Sequence, residues 1–501
     1  MHFSIPDTRE NKDGSGSYVT YNIYINGSYH CSLRYRQLYQ FHLQLKKAFG
    51  AQSLYTFPPK KFFPLTSAQL EERRSQIEKY IQIASQDSMI ANSDIFNGFL
   101  LAAQQETHEC IKDREYSVSI YQLNWQCITL SAYTNENSQI VLERYAEAIQ
   151  LEQQFLPYFC FYLVCHNQND YQTIRRLQNF ESPYLTLCIE NRRSNDQTDH
   201  LIMIRKSYWD SEFDQDLYNS KAAVNILYLQ ALYEVEKGYI LTNNDVRNRL
   251  TSLQAMGDKI EYLKIARTLK YYNYIHFEPC YCDHPMPKCY VRISTGNQEL
   301  HMRLINSNEE LTFRVIRIKC WRLTTSTTNL SIDDQANSSN EGDQSTSKGR
   351  FELSFEYLVS KGVLKWITIV SSQAVLMSTC MQSMVEEMLL KREGKKFRSQ
   401  GLSMHYNTSP SYSNVINNGN EQVNGSNENC DWNYTRKDGS NMTATSFKQN
   451  EPNKLSSNEN KSKSSHNKQI EINATDSAHM KVKYSPLVEN NVFDEIGDDD
   501  L

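Results

Sequence analysis

At Lys391 the sequence changes character. Upstream, aliphatic and aromatic residues recur at helix and strand spacing; downstream Asn, Ser, Lys, Glu and Gly dominate, with almost no aliphatic clusters. A segment of that kind cannot bury enough apolar surface to offset its chain entropy. Residues 392–501 are therefore expected to be a disordered tail, apart from an acidic and apolar motif at its end. The break accounts for an apolar fraction of 39%, below the roughly 45–50% of ordinary globular chains. At about 100–200 residues per domain, the whole chain of 501 residues has room for two to four folded units.

A net charge of −5 argues against a nucleic-acid protein, which carries a basic face or stripe. Any anion recognition must be local. The start, Met-His-Phe-Ser-Ile-Pro, lacks the basic and apolar regions of a secretory signal, and no stretch reaches the ~18 apolar residues of a membrane span. A soluble protein with at most peripheral membrane contact is expected. The twelve cysteines are scattered, mostly in apolar contexts, and read as reduced core residues. Cys280-x-Cys282-x-His284 with Cys289 has zinc-ligand types without the usual paired spacing, and a reduced strand-turn cluster is the better reading. No Gly-x-Ser-x-Gly, P-loop Lys or His-Glu-x-x-His is present. No enzyme activity, metal or cofactor is implied.

Residues 17–35 alternate as strands around Asn26-Gly27, a two-residue hairpin signal. Leu38, Phe41, Leu45 and Phe49 follow near helical spacing up to Gly50. Phe57-Pro-Pro-Lys-Lys must run extended. Thr66, with Gln69 three residues on, starts a second helix by a capping box. An α+β unit over 1–108 results. From 114 the pattern resets: strands and a helix to 206, a helix-rich stretch over 207–272, then strands and a closing helix over 273–391. The polar insert Thr324 to Arg350 is expected to be a mobile loop.

Three features of the first unit gain meaning from their order: the strand-end pair Arg34-Tyr35, the loop Pro58-Pro59-Lys60, and Arg73-Arg74 on a helix with Ile77 following. Together they resemble the PX domain, which binds phosphatidylinositol 3-phosphate. The resemblance implies that Arg34 clamps the 3-phosphate, for which a guanidinium fork is suited. Tyr35 would stack under the inositol ring, Lys60 would meet the 1-phosphate, and Arg73 or its neighbour Arg74 would bond ring hydroxyls. Phe62, Phe63 and Leu65 either dip into the bilayer interface or pack back on the domain.

The lobe order of residues 114–391 is similar to a FERM domain, with a ubiquitin-like F1 lobe (114–206), a helical F2 lobe (207–272) and a PTB/PH-like F3 lobe (273–391). PX followed by FERM, with Arg205-Lys-Ser-Tyr-Trp-Asp210, Phe355-Glu-Tyr-Leu358 and the terminal Ile496-Gly-Asp-Asp-Asp-Leu501, resembles the PX–FERM sorting nexins. Such an F3 lobe accepts an extended peptide between an edge strand and its last helix. The candidate strand is Arg314 to Leu323 with Trp321; Leu358, Val385 and Met388 are the expected pocket residues.

The resemblance further implies a cytosolic adaptor on the early endosome membrane. Its partners would be Asn-Pro-x-Tyr or Asn-Pro-x-Phe motifs of receptor tails. At the C-terminus, Phe493, Ile496, Asp498, Asp499, Asp500 and Leu501 would engage the retriever/commander recycling complex. The competing reading is a FERM linker or scaffold between membrane and cytoskeleton, against which stands the Asn-rich tail with its acidic end.

Overall fold

Four antiparallel strands open the chain: β1 (Phe3–Ser4), β2 (Thr8–Asp13), β3 (Gly16–Ile25) and β4 (Ser28–Arg34). Asn26 and Gly27 between the last two have φ of 49° and 77°, the left-handed pair that a tight type I′ hairpin needs. The computed structural model describes residues 1–14, 16–61, 63–109, 113–167, 170–193, 199–307, 309–326, 350–394, 482–484 and 487–493. Helix α1 (Tyr35–Phe49) follows β4 directly and ends at Gly50, φ 83°. Next come α2 (Ser67–Gln86), α3 (Ser88–Ala91) and α4 (Asp94–Thr107). Thr66 caps α2 reciprocally with Gln69, as the S/T-x-x-E/Q spacing predicts. Phe3, Tyr21, Leu38, Phe41, Ile77, Tyr80 and Phe96 form the core of this domain.

The F1 lobe is a five-stranded sheet of β5 (Glu115–Tyr121), β6 (Cys127–Tyr133), β7 (Phe159–Asn167), β8 (Asp170–Arg176) and β9 (Asp199–Lys206), with helices α5 (Ser138–Ala148) and α6 (Pro183–Arg193). Its order is β6-β5-β9-β7-β8, with β5 and β9 parallel at the centre. The F2 lobe contributes α7 (Asp214–Leu217), α8 (Lys221–Glu236), α9 (Asn244–Met256) and α10 (Lys259–Ala266).

Arg205-Lys-Ser-Tyr-Trp-Asp210 is where the lobes join. Arg205 pairs with Glu234 of α8 at 3.0 Å and Lys206 with the buried Asp214 at 3.4 Å. The backbone N–H groups of Trp209 and Asp210 donate to the Glu387 carboxylate of the last FERM helix, at 2.8 and 2.6 Å.

The F3 lobe holds β10 (Ile275–His276), β11 (Cys280–Cys282), β12 (Cys289–Gly296), β13 (Glu299–Leu304), β14 (Glu310–Arg314), β15 (Ile318–Ser326), β16 (Arg350–Ser360) and β17 (Val363–Val370), packed by α11 (Ala374–Arg392). The strand expected over Arg314 to Leu323 is two strands, because a 3-10 turn at Val315–Arg317 breaks it. β15 also runs on to Ser326, and β16 begins at Arg350, so the ends of the expected loop are paired backbone. Its interior, 327–349, lies outside the described residues.

A second correction concerns the tail. β18 (Val482–Tyr484) and β19 (Val488–Glu489) both pair antiparallel with β15. An edge strand presents unpaired N–H and C=O groups that even a polar segment can satisfy. Residues 395–481 lie outside the described residues.

The first domain and the F1 lobe share packing. Phe180, from the turn before α6, is 2% exposed and belongs to the core of the first domain. The His30 ring stands edge-on to it at 5.7 Å. Gln104 accepts from the Ser182 N–H at 2.9 Å, and Gln105 donates to the Asn135 carbonyl at 2.8 Å.

Candidate functional site: an anion cradle and an edge-strand groove

β4 delivers Arg34 to the start of α1, opposite Thr20 in the pairing with β3. Tyr18 lies two residues along β3, on the same face by strand alternation. The Arg34 guanidinium sits over its ring, 3.5 Å from the centroid. Tyr35 donates its hydroxyl to the Pro58 carbonyl at 2.8 Å, which ties the helix start to the loop carrying the exposed Lys60. From α2, Arg73 lies over the Tyr35 ring at 4.3 Å and donates to the Pro59 carbonyl at 3.3 Å. Burial pushes the phenols of Tyr35 and Tyr21 up, and the adjacent Arg73 opposes it in both. Three segments distant in sequence thus bring cationic and aromatic groups together.

Arg74 is occupied elsewhere. Its guanidinium meets Glu71 at 2.6 Å, Glu78 at 3.2 Å and the Ile5 carbonyl, so it holds α2 to the N-terminal strand region. The geometry separates two arginines that sequence spacing left equivalent. Phe63 is 84% exposed beside the cradle loop; Leu65 is half-buried, and Phe62 lies outside the described residues.

The second site is the outer edge of β15. Val488 sits opposite Trp321 and Glu489 opposite Cys320. The Asn490 N–H donates to the Lys319 carbonyl at 3.0 Å. Its side-chain amide donates to the carbonyls of Val315 and Ile318 at 2.9 and 2.6 Å. The Phe493 N–H then returns to the Asn490 carbonyl at 3.0 Å, and Val492 donates to Asn490 Oδ1 at 3.2 Å, closing a four-residue turn. The 3-10 break at Val315–Arg317 supplies this recognition: one of the two carbonyls that grip the asparagine lies within it.

With the tail segment in place the expected pocket residues are all buried or nearly so. Trp321 is 1% exposed, with its indole N–H on Ser378 Oγ at 3.0 Å. Its backbone pairs with the added strand at Val488, which packs against the apolar cluster that contains Trp321. Val385 and Met388 are buried in the same apolar cluster as Val492. Leu358 is nearly buried, and its carbonyl accepts from Arg317 Nε at 2.9 Å.

Of the C-terminal motif, Phe493 is half-buried at the turn; Ile496, Asp498, Asp499, Asp500 and Leu501 lie outside the described residues. Sequence reasoning missed Tyr18, Val488, Asn490 and Val492. The signal for Asn490 was legible, since Asn490-Asn-Val-Phe493 has the spacing of the Asn-Pro-x-Phe motif expected in ligands.

Among the described residues no group of His, Cys, Asp and Glu side chains could hold a metal ion, and no helix is long and apolar enough to cross a membrane.

Four family models match in chain order: PX domain at residues 21–103; sorting nexin 17/27/31, FERM domain, F1 lobe at 116–209; sorting nexin 17/31, FERM domain, F2 lobe at 210–270; and Sorting Nexin 17 FERM C-terminal domain at 273–389. Sorting nexin-17 of Danio rerio is 40% identical over 405 residues, covering 80% of this chain and 84% of its own. The Homo sapiens sorting nexin-17 is 40% identical over 404 residues, covering 79% and 84%. Sorting nexin-31 of Mus musculus is 31% identical over 396 residues, covering 78% and 87%. A PX domain followed by F1, F2 and F3 lobes, with relatives of this identity and span, places the chain in the sorting nexin-17 family of PX–FERM sorting nexins.

Proposed function

We propose that this chain is a non-enzymatic endosomal cargo adaptor with separate sites for membrane, cargo and recycling machinery. The first domain reads phosphatidylinositol 3-phosphate: Arg34 takes the 3-phosphate, Tyr35 the ring face, Lys60 the 1-phosphate and Arg73 the ring hydroxyls. The edge of β15 takes Asn-Pro-x-Tyr or Asn-Pro-x-Phe segments of receptor tails as an added strand. The carbonyls of Val315 and Ile318 hold the asparagine, and Trp321, Leu358, Val385 and Met388 form the apolar base. The terminal motif Phe493, Ile496, Asp498, Asp499, Asp500 and Leu501 recruits the retriever/commander complex, so that cargo returns to the plasma membrane rather than being degraded.

The observation that carries the cargo reading is the chain's own Asn490-x-x-Phe493, seated on β15 with its asparagine side chain doubly bonded to backbone. Strand addition supplies affinity independent of sequence, and the asparagine grip adds selectivity. A receptor motif must compete with this internal segment. The internal one carries Asn491 where the ligand motif has proline, whose fixed φ lowers the entropy lost in forming a turn.

A fluorescent Asn-Pro-x-Tyr peptide bound to the chain ended at Lys481 tests this. An unlabelled peptide of residues 487–493 should displace it, and the same peptide with Asn490→Ala should not. Absence of competition would mean that the two segments use different surfaces.

A further inference from the structure

The hairpin joining β16 to β17 is built unlike the rest of its sheet. Along β17, Ile367 and Ile369 alternate with outward residues as a half-buried strand should. Before them, Val363, Leu364, Lys365 and Trp366 are all exposed in succession. Val363 is 53%, Leu364 37% and Trp366 38% exposed, and Val359 on the opposing strand is 48% exposed. Residues Val359 to Trp366 are thus exposed in an unbroken run, although Tyr357 and Leu358 opposite Lys365 and Leu364 are buried, and four of these eight residues are large and apolar. A contiguous apolar projection of this kind marks an interaction surface rather than chance exposure.

Its charge identifies the partner. Val359-Ser-Lys361-Gly-Val363-Leu-Lys365-Trp366 contains two lysines and no carboxylate. The Arg322 guanidinium lies 4.8 Å from the Trp366 ring, and Lys365 Nζ is 3.0 Å from His284 Nδ1. Two acids lie nearby: Glu356, opposite Trp366, pairs with Lys319 at 3.6 Å, and Asp283 accepts from the Thr368 N–H at 2.8 Å.

The base is fixed, because Arg317 donates to the carbonyls of Leu358 and Val359 at 2.9 and 2.8 Å. Beyond this base the tip carries aliphatic side chains at its end, with lysines among them and a tryptophan behind. Aliphatic groups enter the acyl boundary, lysines reach phosphates along their stems, and tryptophan settles at headgroup depth. A protein partner would need a matching groove; a bilayer yields to a convex tip.

We propose that the β16–β17 hairpin is a second membrane contact, dipping Val359, Val363 and Leu364 into an anionic bilayer while Lys361 and Lys365 meet lipid phosphates. It adds to the lipid reading of the first domain, which needs a further contact for stable residence because one headgroup site and a few basic residues bind reversibly.

The test uses the full chain and phosphatidylcholine/phosphatidylserine vesicles containing phosphatidylinositol 3-phosphate. Val359→Asp with Val363→Asp should lower vesicle partitioning about tenfold, with melting temperature and Asn-Pro-x-Tyr peptide affinity unchanged. Lys361→Glu with Lys365→Glu should lower it on phosphatidylserine vesicles and not on neutral ones. Brominated acyl chains should quench the fluorescence component that Trp366→Phe removes.

Unchanged partitioning of the aspartate variant, where Arg34→Glu does weaken binding, overturns the inference and leaves the lipid reading intact. An inert Arg34→Glu overturns the lipid reading, and Trp366 quenching then decides the hairpin alone: present, it stands; absent, it falls. Loss of a protein partner with normal vesicle binding assigns the tip to that protein and overturns the membrane contact.

Discussion

Arg73 and Arg74 are adjacent, both buried to 9% exposure, and opposite in what they do. Arg73→Ala should weaken 3-phosphoinositide vesicle binding at least about fivefold with little loss of stability, since it removes a charge-assisted contact to the ligand. Arg74→Ala takes the cation away from the half-buried Glu78, which keeps the Ile5 N–H at 2.6 Å, and should lower unfolding free energy by about 1–3 kcal/mol in urea melts, with a smaller effect on lipid binding. The opposite ranking would exchange their roles. Tyr18 enters here too. Stacking on Tyr18 holds one face of the Arg34 guanidinium and so orients the group proposed to meet phosphate, and Tyr18→Ala should cost about three- to tenfold in lipid affinity while Tyr18→Phe retains it. Tyr18→Ala should add nothing once Arg34 is alanine, which a binding cycle reads directly. Arg34, Tyr35 and Lys60 were singled out in the sequence because a family pattern marks them. Tyr18 was not, because its role depends on a register that brings two strands together.

At the scale of elements, signals that act over three or four residues were read correctly. Asn26-Gly27 makes its hairpin, Gly50 ends α1, and Thr66 with Gln69 starts α2. Thr66→Ala should destabilise the first domain by about 1 kcal/mol in thermal melts and loosen the helix that carries Arg73. Signals that act between elements were not legible. No local residue announces the 3-10 break at Val315–Arg317, yet that break exposes a carbonyl that grips Asn490. The strand pairing of Val482–Tyr484 and Val488–Glu489 was hidden by composition: a polar segment fails to form a core, but it can still satisfy an edge. Trp321, Val385 and Met388 are buried in one apolar cluster with Val492, a depth that periodicity does not give, since it marks the buried face of an element and not the position of a residue within it.

For the whole molecule, shared packing joins the first domain to the FERM lobes, and its loss should be felt on both sides. Phe180→Ala should destabilise the first domain by about 3–5 kcal/mol, the cost of a large buried aromatic, even though the residue belongs to the F1 lobe. Thermal melts and lipid binding should fall together; a change confined to the FERM lobes would contradict the shared core. The same junction sets a pH dependence. His30 is 4% exposed, donates from Nε2 to the Leu100 carbonyl at 2.9 Å, and is pushed down by burial to about 4. Below about 6.5 the unfolded chain takes up a proton that the folded site refuses, so this stability is present above that pH. It is lost as pH falls toward 4, by up to about 1.4 kcal/mol per pH unit. Denaturant melts across that range should show a shallower slope in His30→Gln. In the proposed function one groove serves both the tail and the cargo. Calorimetric titration of an Asn-Pro-x-Tyr peptide into the intact chain and into the chain ended at Lys481 tests it most directly. Removal of the internal competitor should tighten binding at least about fivefold, because a tethered segment acts at high effective concentration; equal affinity in the two chains would contradict the account.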